Sequence, residues 1–117
     1  MENKIKMEVF KMAKLLHFSL EKEYGGDKWR FENRKEKLGA LRNAFKEYAT
    51  INDLPYMSGM VMVIGEINEV GVDDENCLFG RIDYSKTTYS IQVKVMAYVN
   101  NDKDAEYWKK RFSEEIA

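Results

Sequence analysis

Apolar positions along the chain keep a helical rhythm as far as Pro55 and a strand rhythm over most of the remainder. Over residues 3–24, Ile5, Val9, Met12, Ala13, Leu16 and Leu20 recur at steps of three and four, which predicts a first helix ended by Gly25-Gly26. Met7, Leu15 and Phe18 lie on another side of that helix, an apolar surface wider than one packing stripe requires, and this points to a second element or a second chain against it. Asp27 has the chemistry of an N-cap, and Phe31, Leu38, Leu41, Phe45 and Tyr48 then mark a second helix running to Ala49. The short connection predicts an antiparallel helical hairpin.

Beyond Pro55 the residues from Met57 to Ile64 are almost all apolar, and Ile67, Val70 and Val72 continue less regularly. One bent strand is predicted there, with Gly65 and Gly71 as its bulge or bend. Asp73-Asp74-Glu75-Asn76 reads as a turn, Cys77 to Tyr84 as a second strand and Ser85-Lys86-Thr87-Thr88 as the next turn. The third strand has the clearest periodicity: Tyr89, Ile91, Val93, Val95, Ala97 and Val99 alternate with Ser90, Gln92, Lys94, Met96 and Tyr98. A hairpin register pairing Ile82 with Ile91 and Tyr84 with Tyr89 keeps one face apolar. Asn100 to Lys103 supplies capping chemistry for a last helix carrying Ala105, Trp108, Phe112 and Ile116.

The expected fold is therefore α+β in the order ααβββα: a helical hairpin, a three-stranded antiparallel meander and a C-terminal helix, forming one domain over residues 1–117. Three strands covered on one side leave an outer face where Phe79, Met96 and Tyr98 form an apolar and aromatic patch edged by Arg81 and Lys94.

Composition agrees with a folded domain, at 44% hydrophobic and 33% charged residues with a single proline. The apolar runs are too short for a spanning helix, the N-terminus does not read as a signal peptide, and one cysteine precludes an internal disulfide, so a cytoplasmic location without membrane attachment is expected. The net charge of -1 hides an asymmetry: residues 1–50 carry +4 and the remainder -5. The basic excess concentrates on the second helix, where Lys28, Lys35, Arg42 and Lys46 project in one narrow sector beside the apolar face, close to Trp29. Arg34 falls between Phe31 and Leu38 in the apolar sector and so needs snorkelling, a carboxylate or a ligand.

Catalytic chemistry finds little to work with. His17 and Cys77 are the single histidine and cysteine, which disfavours a Cys/His pair and a zinc site alike. Glu66, Glu69, Asp73, Asp74 and Glu75 lack the spacing of a calcium loop but suit a basic partner, such as the basic helix of another molecule. No cofactor motif is present, and no metal site is expected. These features point to a small non-enzymatic intracellular binding protein, an inhibitor or regulator of a macromolecular partner, of the type by which a phage or mobile element inhibits a nucleic-acid-processing enzyme. The alternatives are a nucleic-acid binder using the basic second helix, and a small enzyme using Glu66, Asp83 or His17. The candidate contact residues are Trp29, Arg30, Arg34, Lys35, Arg42, Lys46, Phe79, Arg81, Lys94, Tyr98, Trp108 and Arg111, with self-association as a homo-oligomer expected besides.

Overall fold

The computed structural model describes residues 13–73 and 83–117, with the backbone alone described at 70–73 and 83–85. Five elements succeed one another: β1 (Lys14–Gly25), α1 (Lys28–Ile51), β2 (Val61–Asp73), β3 (Asp83–Val99) and α2 (Asp102–Ile116). The strands form one antiparallel sheet in the order β1-β3-β2, so β1 and β2 flank the central β3 and are joined through α1. The α+β class, the three antiparallel strands and the C-terminal helix agree with the sequence; the order does not. It is βαββα in place of ααβββα.

The first expected helix is, over its described part, a strand. Leu16, Phe18 and Tyr24 are buried and Leu20 half-buried, while His17, Ser19, Glu21 and Glu23 are exposed, which is the alternation of a sheet with one covered face. Leu16 and Leu20 are four apart, a spacing that a helix and a strand both place on one side. Phe18 between them breaks the tie, and its position explains the apolar width that a helix could not accommodate. The expected helical hairpin is absent accordingly, since α1 comes after a strand. Residues 1–12 lie outside the described part.

The hairpin expected between Cys77 and Val99 is also revised. β3 is continuous from Asp83, so Ser85 to Thr88 is strand, not turn. Tyr84 pairs with Val72 and Tyr89 with Ile67, not with each other. Thr87 and Thr88 are β-branched and suit a ladder as well as a turn. The expected strand at residues 77–82 and the pairing of Ile82 lie outside the described part.

Local chemistry sets the limits of both helices. Gly25 adopts φ +57°, a conformation suited to glycine, and Asp27 caps α1 by accepting the Arg30 N–H at 3.0 Å. At its other end Asp53 takes φ 56° while the Leu54 N–H returns to the Ala49 carbonyl at 2.8 Å. Asn101 caps α2 through the Asp104 N–H at 2.8 Å, and Asp102 and Asp104 stand in the first turn, where the helix dipole favours negative charge.

The core lies between one sheet face and the two helices. From β3 it takes Ile91, Val93, Val95, Ala97 and Val99, from α1 Phe31, Leu38, Leu41, Phe45 and Ala49, and from α2 Trp108, Phe112 and Ile116. Trp108 packs edge-on against Phe45 with ring centroids 5.1 Å apart and lies 5.4 Å from Tyr48. There is no bulge at Gly65, because pairing runs without a shift through Ile64, Gly65 and Glu66. Glycine is there for a different reason: a Cβ at this position would meet the Phe31 ring and the Lys35 side chain at 3.0 Å. The glycine lets α1 lie close on the sheet.

A polar cluster joins the ends of α1, β3 and α2. The Tyr48 hydroxyl donates to Asp104 Oδ2 at 2.6 Å and accepts the Asn100 N–H at 2.9 Å, while Asn100 Nδ2 donates to Asn52 Oδ1 at 2.7 Å. Burial, and next the bond to Asp104, push the Tyr48 hydroxyl up to about 12.

This packing has two measurable consequences. Gly65→Ala lowers unfolding stability by about 1–3 kcal/mol in a denaturant titration, since Phe31 is wedged in the core and cannot retreat as Lys35 can. Tyr48 holds its proton in the folded state to about pH 12, whereas an unfolded tyrosine loses it near the ordinary value of 10.0. Folding stability therefore falls as pH rises between these values, and Tyr48→Phe, less stable by about 1–3 kcal/mol at neutral pH, shows a shallower alkaline loss in melts at stepped pH.

Candidate functional site

Among the described residues, the sheet has helices on one side only. Residues of β1, β3 and β2 that point away from them form an outer face, and the register assigns its rows. Leu15 stands beside Tyr98; His17 beside Met96; Ser19, Lys94 and Met62 make the third row; Glu21, Gln92 and Ile64 the fourth; Glu23, Ser90 and Glu66 the fifth. One end of the face is thus apolar and the other acidic. Leu15 is 55% and Met96 53% exposed, the behaviour of a surface and not of a core. Near the apolar end a shallow depression of about 260 Å³ opens among His17, Ser19, Gly59, Met62, Lys94 and Met96. At the acidic end Glu23 and Glu66 stand two strand spacings apart, roughly 10 Å, on either side of Ser90, which is itself buried.

Of the sequence-derived contact residues, Lys94 and Tyr98 belong to this face. Phe79 and Arg81, expected beside them, lie outside the described residues. Leu15, Glu21, Glu23, Met62 and Ile64 join the face without having been named as contact residues, and His17 joins it having been considered only for catalysis. For the β1 residues the signal is the alternation around Phe18, which the helical reading of the same segment conceals.

A second group of candidates lies on α1, in two sectors separated by the buried stripe. Lys28, Lys35, Arg42 and Lys46 are all exposed and form a ridge on the flank near β2, where the Lys35 side chain passes over Gly65. None of the four is ion-paired among the described residues. Lys35 Nζ lies 5.5 Å from the centroid of the Phe31 ring, and the Arg42 charge opposes the rise that burial imposes on the Tyr56 hydroxyl. Trp29, 78% exposed, stands on the solvent side at the start of the helix and lines a second shallow depression with Glu32, Asn33, Lys35 and Glu36.

Arg30 and Arg34 occupy the opposite flank and face the end of α2. Arg30 donates to the Ala117 backbone oxygen and lies over the Tyr24 ring, and Arg34 Nη1 is 3.8 Å from Glu115 Oε1. The Tyr24 hydroxyl donates to the Ile116 carbonyl beside them. Carbonyls at a helix C-terminus carry partial negative charge and have no partner within the helix, so the Arg30 guanidinium and the Tyr24 phenol meet them there, while Arg34 faces the Glu115 carboxylate. Arg34 thus faces a carboxylate of the same chain at ion-pair distance, while its buried Nε has no hydrogen-bond partner among the described residues. Burial raises the Tyr24 hydroxyl above its ordinary value, and the two arginines oppose that shift.

Trp108 is only 6% exposed and serves the core, which removes it from any contact surface. Arg111 stands on α2 with its guanidinium over the Tyr107 ring and Nη1 3.0 Å from the Tyr107 hydroxyl. The candidates therefore separate into the outer sheet face, the basic ridge with Trp29, and isolated positions on α2. Of the residues considered for an enzyme, His17 is on the outer face, Glu66 is at its acidic end, and the Asp83 side chain is outside the described part. Among the described residues no three His, Cys, Asp or Glu side chains are grouped to hold a metal ion, and no helix is long and apolar enough to cross a membrane.

The two basic sectors differ in what reversal of charge does to the fold. Arg34→Glu sets a carboxylate against Glu115 and the end of α2, and it lowers stability by about 1–2 kcal/mol. Lys35→Glu, Arg42→Glu and Lys46→Glu together change it by less, as read in parallel thermal melts. Comparison with models of protein families, with curated proteins and with solved structures finds no match to this chain.

Proposed function

We propose that this chain is a non-catalytic binding protein that docks a macromolecular partner on the outer face of its sheet. The observation that carries this reading is the grouping of Leu15, Met62, Met96 and Tyr98 on an open sheet face that ends in Glu21, Glu23 and Glu66. Apolar side chains on such a face supply the anchoring area of an interface, and methionine adapts to irregular partners. The acidic row supplies orientation by attracting a basic surface. A protein with an apolar knob beside a basic patch matches both ends. Enzymes that process nucleic acid hold phosphates on such basic surfaces, so this chemistry favours an inhibitor or regulator of one of them, the class in which a phage-encoded or mobile-element inhibitor would fall.

A second reading, nucleic-acid binding, draws on a different surface. The basic ridge is not ion-paired among the described residues, and the exposed Trp29 beside Lys28 offers an aromatic plane on which a base can stack. The excess is local and the chain as a whole carries -1, which sets this reading behind the first.

Capture from a lysate of cells that make the protein, with and without nuclease, separates the two. The expected result is one protein retained in near-stoichiometric amount after nuclease, lost on Met96→Asp, and kept when Lys35, Arg42 and Lys46 are all changed to Glu. Retention of nucleic acid alone, released by moderate salt and abolished by the triple reversal, overturns the first reading in favour of the second.

A further inference from the structure

We infer that β1 pairs with the β1 of a second copy, joining two chains through one continuous six-stranded sheet. Among the described residues β1 is an edge strand, hydrogen-bonded only to β3, and it is 12 residues long. A long edge exposes a row of backbone donors and acceptors, and proteins ordinarily blunt it with proline, a bulge or an inward charge. From Leu15 to Leu20 this edge has none of these; the register shift comes only between Glu23 and Gly25.

Charge selects the occupant. β1 has Lys14 and the imidazole of His17, a hydrogen-bond donor, in its first half and the carboxylates of Glu21 and Glu23 in its second. Antiparallel pairing with itself brings each half against its opposite. Two registers use the whole strand and keep the helices of both copies on one side of the sheet: one is centred on Ser19 and the other on Leu20. The first sets His17 opposite Glu21 of the second copy, the second opposite Glu23. Helix-side apolar residues meet in both, Phe18 with Leu20 in the first and Leu20 with Leu20 in the second. Lys22, the one charge on the helix side of this strand beyond Lys14, lays its stem along an opposing apolar residue and keeps its ammonium in water.

The other edge does not share this property. β2 carries Glu66, Glu69 and Asp73 with no basic residue, so pairing with itself gathers like charges. Pairing β1 with the β2 of another copy is heterologous and builds an open chain of subunits, whereas β1 with β1 closes after two. The outer face remains open in the pair, so this inference stands independently of the proposed function.

The test is mass by light scattering over a dilution series from roughly 100 µM chain downward, which begins where even a micromolar dimer is formed and locates the dissociation midpoint of each variant. The wild-type chain is expected at about twice 13.8 kDa. His17→Glu, and separately Glu21→Lys with Glu23→Lys, are each expected to weaken association about tenfold or more, all at exposed positions and with far-UV circular dichroism unchanged. Mixing the two variants restores a dimer, because the carboxylate introduced in one chain then faces the lysines introduced in the other across the junction. A monomeric wild type, a dimer indifferent to both variants, or a mixture that does not recover overturns the inference. Amide exchange gives a second readout should either variant fold poorly: protection of residues 15–21 in the wild type rises with concentration if the edge is paired, and concentration-independent protection overturns the inference.

Discussion

The alternate burial of β3 is the constraint on which the rest of the architecture depends. Ile91, Val93, Val95, Ala97 and Val99 are each no more than 1% exposed, and the residues between them look the other way. This strand is hydrogen-bonded along both edges and covered on one face. β1 and β2 provide the first of these. The second requires two helices side by side, since one helix is about 10 Å across and a three-stranded sheet is wider. α1 and α2 divide that face, and the aromatic cluster of Phe45, Tyr48 and Trp108 fills the seam between them.

How much of this is legible in the sequence depends on whether the helical and strand periods can be told apart. In β3 six apolar residues alternate without interruption, and in α1 the Phe31, Leu38, Leu41 and Phe45 spacing excludes a strand, so both elements can be read directly. β1 sits where the two periods overlap. Leu16, Leu20 and Tyr24 satisfy both, and only Phe18 speaks for the strand. The charged Lys22 and Glu23 also look helical in sequence; at a sheet edge they are simply solvated. Gly65 shows a different limit, because a glycine that admits a helix and a glycine that bends a strand are indistinguishable without knowing what packs above.

The candidate site divides on the same physical line. Charge clustering in the sequence locates the basic ridge of α1, and Lys28, Lys35, Arg42 and Lys46 do share one exposed flank. It cannot separate them from Arg30 and Arg34, which meet the end of a helix more than 80 residues away in the chain. A guanidinium drawn to a backbone oxygen, as Arg30 is, or to a carboxylate of the same chain, as Arg34 is, serves the fold before it serves a partner. Aromatic character misleads in the same way: Trp29 and Trp108 are alike in composition, yet the first is 78% exposed and the second 6%.

A sheet covered on one side leaves two kinds of unsatisfied surface, an edge rich in backbone hydrogen-bonding groups and a face of side chains, and they invite different partners. An edge is met by another strand running along it, whose identity is set by how charges match along the direction of pairing. A face is met by shape and apolar area, with charge at its margin for orientation. In this chain the edge of β1 is complementary to itself, whereas the outer face is not: its apolar and acidic ends ask for an apolar and a basic surface on the other side. Self-association through the edge doubles the number of outer faces without covering either. The inferred edge pairing and the proposed docking therefore do not compete for one surface, and paired chains would present two docking faces to the same partner.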